Sequence, residues 1–270
     1  MPRRNWTRDE LVIAFNLYCK IPFSKIDNSN PKIINLANAL GRTPSALSWK
    51  LANFARLDPT LQERGISGAT HGGKLEKKIW DEFNGDWQKL SYESEKLLSS
   101  VLGIGIELEP APAYPEGLSR ISSVTVRVNQ AFFRTAVLAA YDSTCCITGL
   151  AVPVLLNASH IVPWRIDVRN RTNPRNGLCL NAIHDRAFDR GLITVTPDYK
   201  VHICSALRNS QERAVSEFFS QHHGSKIKLP DHFTPDPRLA RGWLEPWAAG
   251  SAQHRRPTGA GLLLVLCAQA

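Results

Sequence analysis

None of the 6 cysteines stands in a C-x-x-C pair, so the sequence does not support a four-cysteine zinc knuckle. Buried free thiols are the expectation for Cys19, Cys145, Cys146, Cys179, Cys204 and Cys267. No secretory leader is read at the N-terminus, and the cysteines are therefore expected in a reducing, cytoplasmic setting. Long apolar runs are also missing. The longest stretch, GAGLLLVLCAQA, is too short to span a bilayer, which argues against a membrane partner. Nothing repeats at a fixed period, and Gly103 and Gly105 lack the further glycine and lysine of a phosphate loop. What remains is ordinary globular composition, with 43% hydrophobic and 21% charged residues, long enough at 270 residues for two domains. Lysine and arginine number 33 against 24 acidic residues, a formal charge of +9. That excess invites a polyanion, and nucleic acid is the usual soluble one.

The local signals divide the chain. Thr7 with Glu10 is a capping box, followed by Leu11, Phe15 and Tyr18 on one helical face. Asn30-Pro31 opens a second helix closed by Gly41, and Thr43-Pro44 opens a third whose Leu47, Leu51 and Phe54 point inward. A short turn between two such helices is the helix-turn-helix arrangement. The outward face of the third helix would hold Ser45, Ser48, Trp49, Lys50, Asn53 and Arg56, with Lys50 the expected phosphate contact. Residues 74–102 carry one more amphipathic helical pattern, and the Pro- and Gly-rich 103–120 reads as a linker. From 121 the pattern becomes α+β: a helix in QAFFRTAVLAA, a strand in VPVLLNASHI ending at His160, a second strand in GLCL, and a helix capped by Asn181 and ended by Gly191. GLITVTPDYKVHIC reads as a hairpin with a Pro-Asp turn. The expected organisation is a helical DNA-binding-like domain over 1–102, a linker over 103–120, an α+β domain over 121–245 and a tail over 246–270.

The chemistry-bearing residues follow in order: His160, Asn176 sixteen positions on, and His184 eight after that. Two antiparallel strands with a helix packed across them would bring the three side chains together, and polar groups so placed are costly unless used. Phosphodiester hydrolysis fits this set. An imidazole takes a proton from water near neutral pH, and a divalent cation offsets the charge on phosphate oxygens. His160 is the expected base, Asn176 the orienting amide and His184 the metal ligand. Arg165, Arg169, Arg171 and Arg175 would pair with phosphates. His202, His222 and His223 read as ordinary polar residues, Trp164 as a wedge fixing its loop, Cys145 and Cys146 as packing beneath the motif, and Asp189 as structural.

CCITGL, ASHIVPW and NPRNGLCLNAIHDRAFDRGLI together resemble the HNH endonucleases of the ββα-metal class, in a subgroup associated with bacterial DNA restriction, over roughly 125–240. The segment LANALGRTPSALSWKLANFARLDP is similar, more loosely, to what precedes the nuclease in such proteins. The resemblance implies a metal-dependent nuclease acting on double-stranded DNA and leaving a 5′-phosphate and a 3′-hydroxyl. It implies His160 as general base, Asn176 as the orienting residue and His184 as the metal-binding histidine. Many members carry an acid or histidine just before the base, where this chain has Ser159. Asp185 could replace it, although adjacent helical positions point about 100° apart. Mg²⁺ keeps most of its waters in such sites, while Mn²⁺ or Ni²⁺ would match imidazole better. A homodimer is expected if both strands are cut. The rivals are a DNA-binding regulator on an inactive HNH scaffold, and a nuclease gated by a partner or ligand.

Overall fold

The structure, a computed structural model, describes residues 4–66, 73–103 and 120–239, with side chains of the last stretch described from 126. Most of the expected linker, the 246–270 tail and Cys267 lie outside the described residues. The chain is α+β and divides into two units, one of Met1–Asp142, Arg169–Pro174 and Asp231–Thr234, the other of Ser143–Val168, Arg175–Pro230 and Pro235–Ala270.

The first unit is helical. In α1 (Arg8–Cys19) the Thr7 hydroxyl accepts the Glu10 N–H while the Glu10 carboxylate accepts the Thr7 N–H, so two orphan donors are satisfied. Asn30 caps α2 (Pro31–Ala39) and Thr43 caps α3 (Pro44–Ala55). Asp58 caps the short α4 (Pro59–Glu63), an element the sequence reading did not contain. The single helical pattern expected over 74–102 is two helices, α5 (Lys74–Phe83) and α6 (Trp87–Leu102). Gly85 between them has φ +113°, a conformation a side chain resists, and Asp86 restarts the helix by accepting the Lys89 N–H. Helix α7 (Arg120–Ala140) completes the set. Leu11, Phe15, Tyr18, Leu47, Leu51 and Phe54 meet in one core with Trp80, Phe83 and Trp87. Phe233 joins the same core, edge-on to Tyr18 and Trp87.

One expectation about α3 is corrected by burial. Trp49 is outward, at 63% exposed, but Asn53 is buried. The Glu76 carboxylate on α5 accepts from the Lys50 ammonium at 2.5 Å and from the Asn53 amide at 3.0 Å. A neighbouring helix thus covers the middle of that face.

The second unit is built on β1 (Leu156–His160) and β2 (Gly177–Asn181), antiparallel, with His160 opposite Gly177 and Leu156 opposite Asn181. Leu178, Cys179 and Leu180 are all fully buried, so β2 is covered on both faces. The expected VPVLLNASHI strand is only half strand. Pro153–Leu155 forms a 3₁₀ turn, because Pro153 has no N–H for a ladder, and Val154 is left 87% exposed. Helix α8 (Ala182–Asp189) packs on both strands, capped by Asn181 and ended at Gly191, whose φ is +71°. The hairpin of β3 (Ile193–Val195) and β4 (Val201–Ile203) follows as expected. Beyond it lie α9 (Ser205–Arg208), α10 (Arg213–Phe218) and a 3₁₀ turn at Ser220–His222.

Among the described residues no helix is long and apolar enough to cross a membrane. Cys19, Cys145, Cys146, Cys179 and Cys204 are buried thiols outside any disulfide.

Candidate active site

His160 is the last residue of β1 and is half-buried. Its ring meets Trp164 edge-on at 5.6 Å between centroids, so the tryptophan flanks the imidazole as well as its loop. The chain leaving the strand is held by Asn176. This side chain is fully buried, and its Oδ1 accepts the Val162 N–H at 2.8 Å while its Nδ2 donates to the Val162 carbonyl at 3.0 Å. The Asn176 backbone carbonyl also accepts the Ile161 N–H at 2.8 Å. A side-chain amide therefore imitates one rung of a β-ladder just beyond His160, where the two strands have parted.

The turn that carries CCITGL closes the other end of the hairpin. Cys145 N–H donates to the Leu150 carbonyl and Cys146 N–H to the Cys179 carbonyl on β2. Gly149 allows the turn with φ +75°. Burial pushes the Cys146 thiol well up.

His184, in the first turn of α8, is 1% exposed. Its Nε2 lies 2.6 Å from the Phe218 carbonyl. A carbonyl only accepts, so the ring proton belongs on Nε2. Asn181 Oδ1 accepts the His184 N–H at 2.9 Å, which turns the amide nitrogen of Asn181 toward Nδ1 at 3.1 Å. Phe219 and His222 close on the ring edge-on, at 5.5 and 5.6 Å. Burial, with His184 beside it, keeps the His222 imidazole below its ordinary range.

Asp185, the next residue, is aimed at β1 instead. Its carboxylate accepts from Asn157 Nδ2 at 2.7 Å and from the Ser159 hydroxyl. The sequence reading passed over Asn157 and left Asp185 open. Their signal was present in the alternation of β1, which sends Asn157 and Ser159 to the same face.

The arginines are dispersed. Arg165 is exposed in the loop after Trp164, Arg175 is half-buried in the 3₁₀ turn at Pro174–Asn176, and Arg169 and Arg171 fall in Arg169–Pro174, which groups with the helical unit. Lys50 also belongs to the helical unit and is ion-paired to Glu76, with its ammonium 5.5 Å from the centre of the Trp6 ring.

Residues 145–196 match the family described as HNH endonuclease. The chain carries an HNH endonuclease domain. The matched segment runs from the Cys145 turn through β1, β2 and α8 to the β3 hairpin, so it contains His160, Asn176 and His184. No curated protein matches the chain. HNH nucleases generally depend on a metal, and among the described residues no group of three or more histidine, cysteine or acidic side chains could hold one. His184, the residue expected to take it, does not fit as it stands. Both ring nitrogens are engaged, and the Phe218 carbonyl occupies the direction a cation would need.

Proposed function

We propose that this protein is a metal-dependent endonuclease that hydrolyses phosphodiester bonds in double-stranded DNA, in bacterial restriction or defence. In this reading the helical unit selects or positions the duplex and the HNH unit cuts it. His160 is the general base: it takes the proton of a water that attacks phosphorus in line with the leaving 3′-oxygen. Asn176 is a positioning residue, since its grip on Val162 sets the course of the chain that leaves His160. Arg165, Arg171 and Arg175 pair with backbone phosphates. The observation that carries the reading is this buried clamp beside a half-exposed histidine at a strand end, inside a segment that matches an HNH family.

Supercoiled plasmid, methylated and unmethylated, incubated with the protein in Mg²⁺, Mn²⁺ or Ni²⁺ tests it. Wild type should nick or linearise the plasmid, and His160→Ala should cut at least about 100-fold more slowly while still retarding DNA in a gel. Equal cutting by the variant would remove His160 from the role of base. The second reading, a DNA-binding regulator on an inactive scaffold, is favoured by the engagement of both His184 nitrogens. DNA binding without cutting in any of the three metals would establish it.

A further inference from the structure

The loop that follows His160 is fixed at its root and bare at its tip. Asn176 grips both polar groups of Val162, and the Trp164 ring stands edge-on to the His160 imidazole. Pro163 then turns the chain, its carbonyl accepting the Ile166 N–H at 2.9 Å. At the tip Ile166 is 51% exposed and Val168 is 53% exposed. Asp167 between them is only partly exposed. Arg165 and Arg169 bracket these positions in sequence, and both are exposed. One aliphatic side chain in water is ordinary. Two on a short loop, rimmed by arginine and rooted on the expected base, mark a contact surface.

We infer that Ile166 and Val168 form an apolar wedge that enters the duplex beside the scissile bond and parts two stacked base pairs, while Arg165 holds the adjoining phosphate. This rests on the reading of the unit as a DNA nuclease. Aliphatic side chains offer nothing to a phosphate or to the polar edge of a base. The apolar surface that DNA can give them is a thymine methyl or the face of a base between two steps. A base face covers both side chains, whereas a methyl covers a fraction of one. A wedge also needs a stiff root, since a loose loop would bend before the stack opened. The Asn176 clamp and the contact between His160 and Trp164 supply that root. Pyrimidine–purine steps unstack most readily. The substrate class that follows is duplex DNA with a TA or CA/TG step next to the cut, selected without a hydrogen bond from the loop tip to any base.

Permanganate, which oxidises unstacked thymines, tests this on a long linear duplex bound by the full-length wild-type protein, with EDTA present to hold back metal-dependent cutting. Thymines at TA steps should react at least about threefold faster than in free DNA, and thymines inside A-tracts should not. Ile166→Ser/Val168→Ser should abolish the increase at saturating protein and bind DNA roughly tenfold more weakly. Its binding should keep the wild-type salt dependence, because the substitutions remove no charge. Arg165→Ala should do the reverse, keeping the increase at saturation while lowering the slope of log K against log salt by about 0.9. All three side chains are exposed, so melting temperatures should stay near wild type. Unchanged thymine reactivity in the bound complex overturns the wedge, as does an increase that survives in the double variant. Failure to bind the duplex overturns it too. So does a dimer, seen by analytical ultracentrifugation, that dissociates in the double variant, since the tip is then a seat for a second copy. Plasmid cutting by wild type in Mg²⁺, Mn²⁺ or Ni²⁺ is scored separately. Cutting without thymine exposure sinks the wedge and leaves the nuclease; exposure without cutting supports the wedge and removes the nuclease reading.

Discussion

The clamp at Asn176 is demanding because it is bidentate and dry. Both polar groups of Val162, itself nearly buried, are satisfied by one amide, and an amide is the only side chain of that size with a donor and an acceptor side by side. Asn176→Asp should keep an acceptor for the Val162 N–H but place an oxygen against the Val162 carbonyl. The expected loss is about 2 kcal/mol of stability, the usual cost of leaving a buried polar group unpaired, with slower plasmid cutting. Urea denaturation read beside the cutting rate checks both, and unchanged stability would show that the clamp contributes nothing. His160, Asn176 and His184 stand out in the sequence because imidazole and amide groups are costly at strand ends and helix faces unless engaged. The partners of His184 were not legible. A backbone carbonyl such as that of Phe218 leaves no trace in residue type, so a histidine that meets a carbonyl and one that meets a cation look alike in sequence.

Among elements, the joint between α3 and α5 depends on one buried carboxylate. Burial alone would raise Glu76, but the bonds from Lys50 and Asn53 outweigh it and hold the carboxyl below its usual range. Glu76→Gln should therefore cost about 3 kcal/mol, at the low end for removing one member of a buried pair, since Lys50 keeps some solvent. The double variant Glu76→Gln/Lys50→Met removes the stranded charge and should recover part of that loss in a denaturation cycle. No recovery would mean that the pair is not coupled. The caps at Thr7, Asn30, Thr43 and Asn181 were legible because capping depends on a few neighbouring residues. Two boundaries read wrongly, and for local reasons. The apolar periodicity of 74–102 continues in phase across Gly85, so only the glycine's positive φ betrays the break, and Pro153 ends the ladder inside what composition presents as a single strand. The burial of Asn53 was illegible because it is imposed by a helix 23 residues away.

At the scale of the molecule, the helical unit is completed by residues that follow the HNH-matching segment 145–196 in sequence. His232 is buried with neither ring nitrogen hydrogen-bonded, its ring tilted against Tyr18 and Phe233. Burial, with Arg64 nearby, pushes its imidazole down to about 3. Above pH ~6.5 neither the folded nor the unfolded state is protonated there, and His232 makes no pH-dependent contribution. Below that pH the unfolded chain takes up a proton the folded state refuses. Stability should then fall by about 1.4 kcal/mol per pH unit until the folded value is reached. Melting temperatures from pH 7.5 down to 5 should decline more steeply for wild type than for His232→Leu, and parallel curves would rule this out. Phe233→Ala should cost about 3–4 kcal/mol, since the ring is 3% exposed in the same core, and chemical denaturation measures it.

Phe233 also fixes an order of events. A chain emerging from the ribosome delivers α1 to α6 long before it delivers residue 233, and domains of growing chains fold as their residues appear. Here the space between Tyr18 and Trp87 waits for an aromatic ring that is synthesised only after 143–230 have been made. The helical core therefore gains its last aromatic ring only after the HNH-matching segment 145–196 has been synthesised.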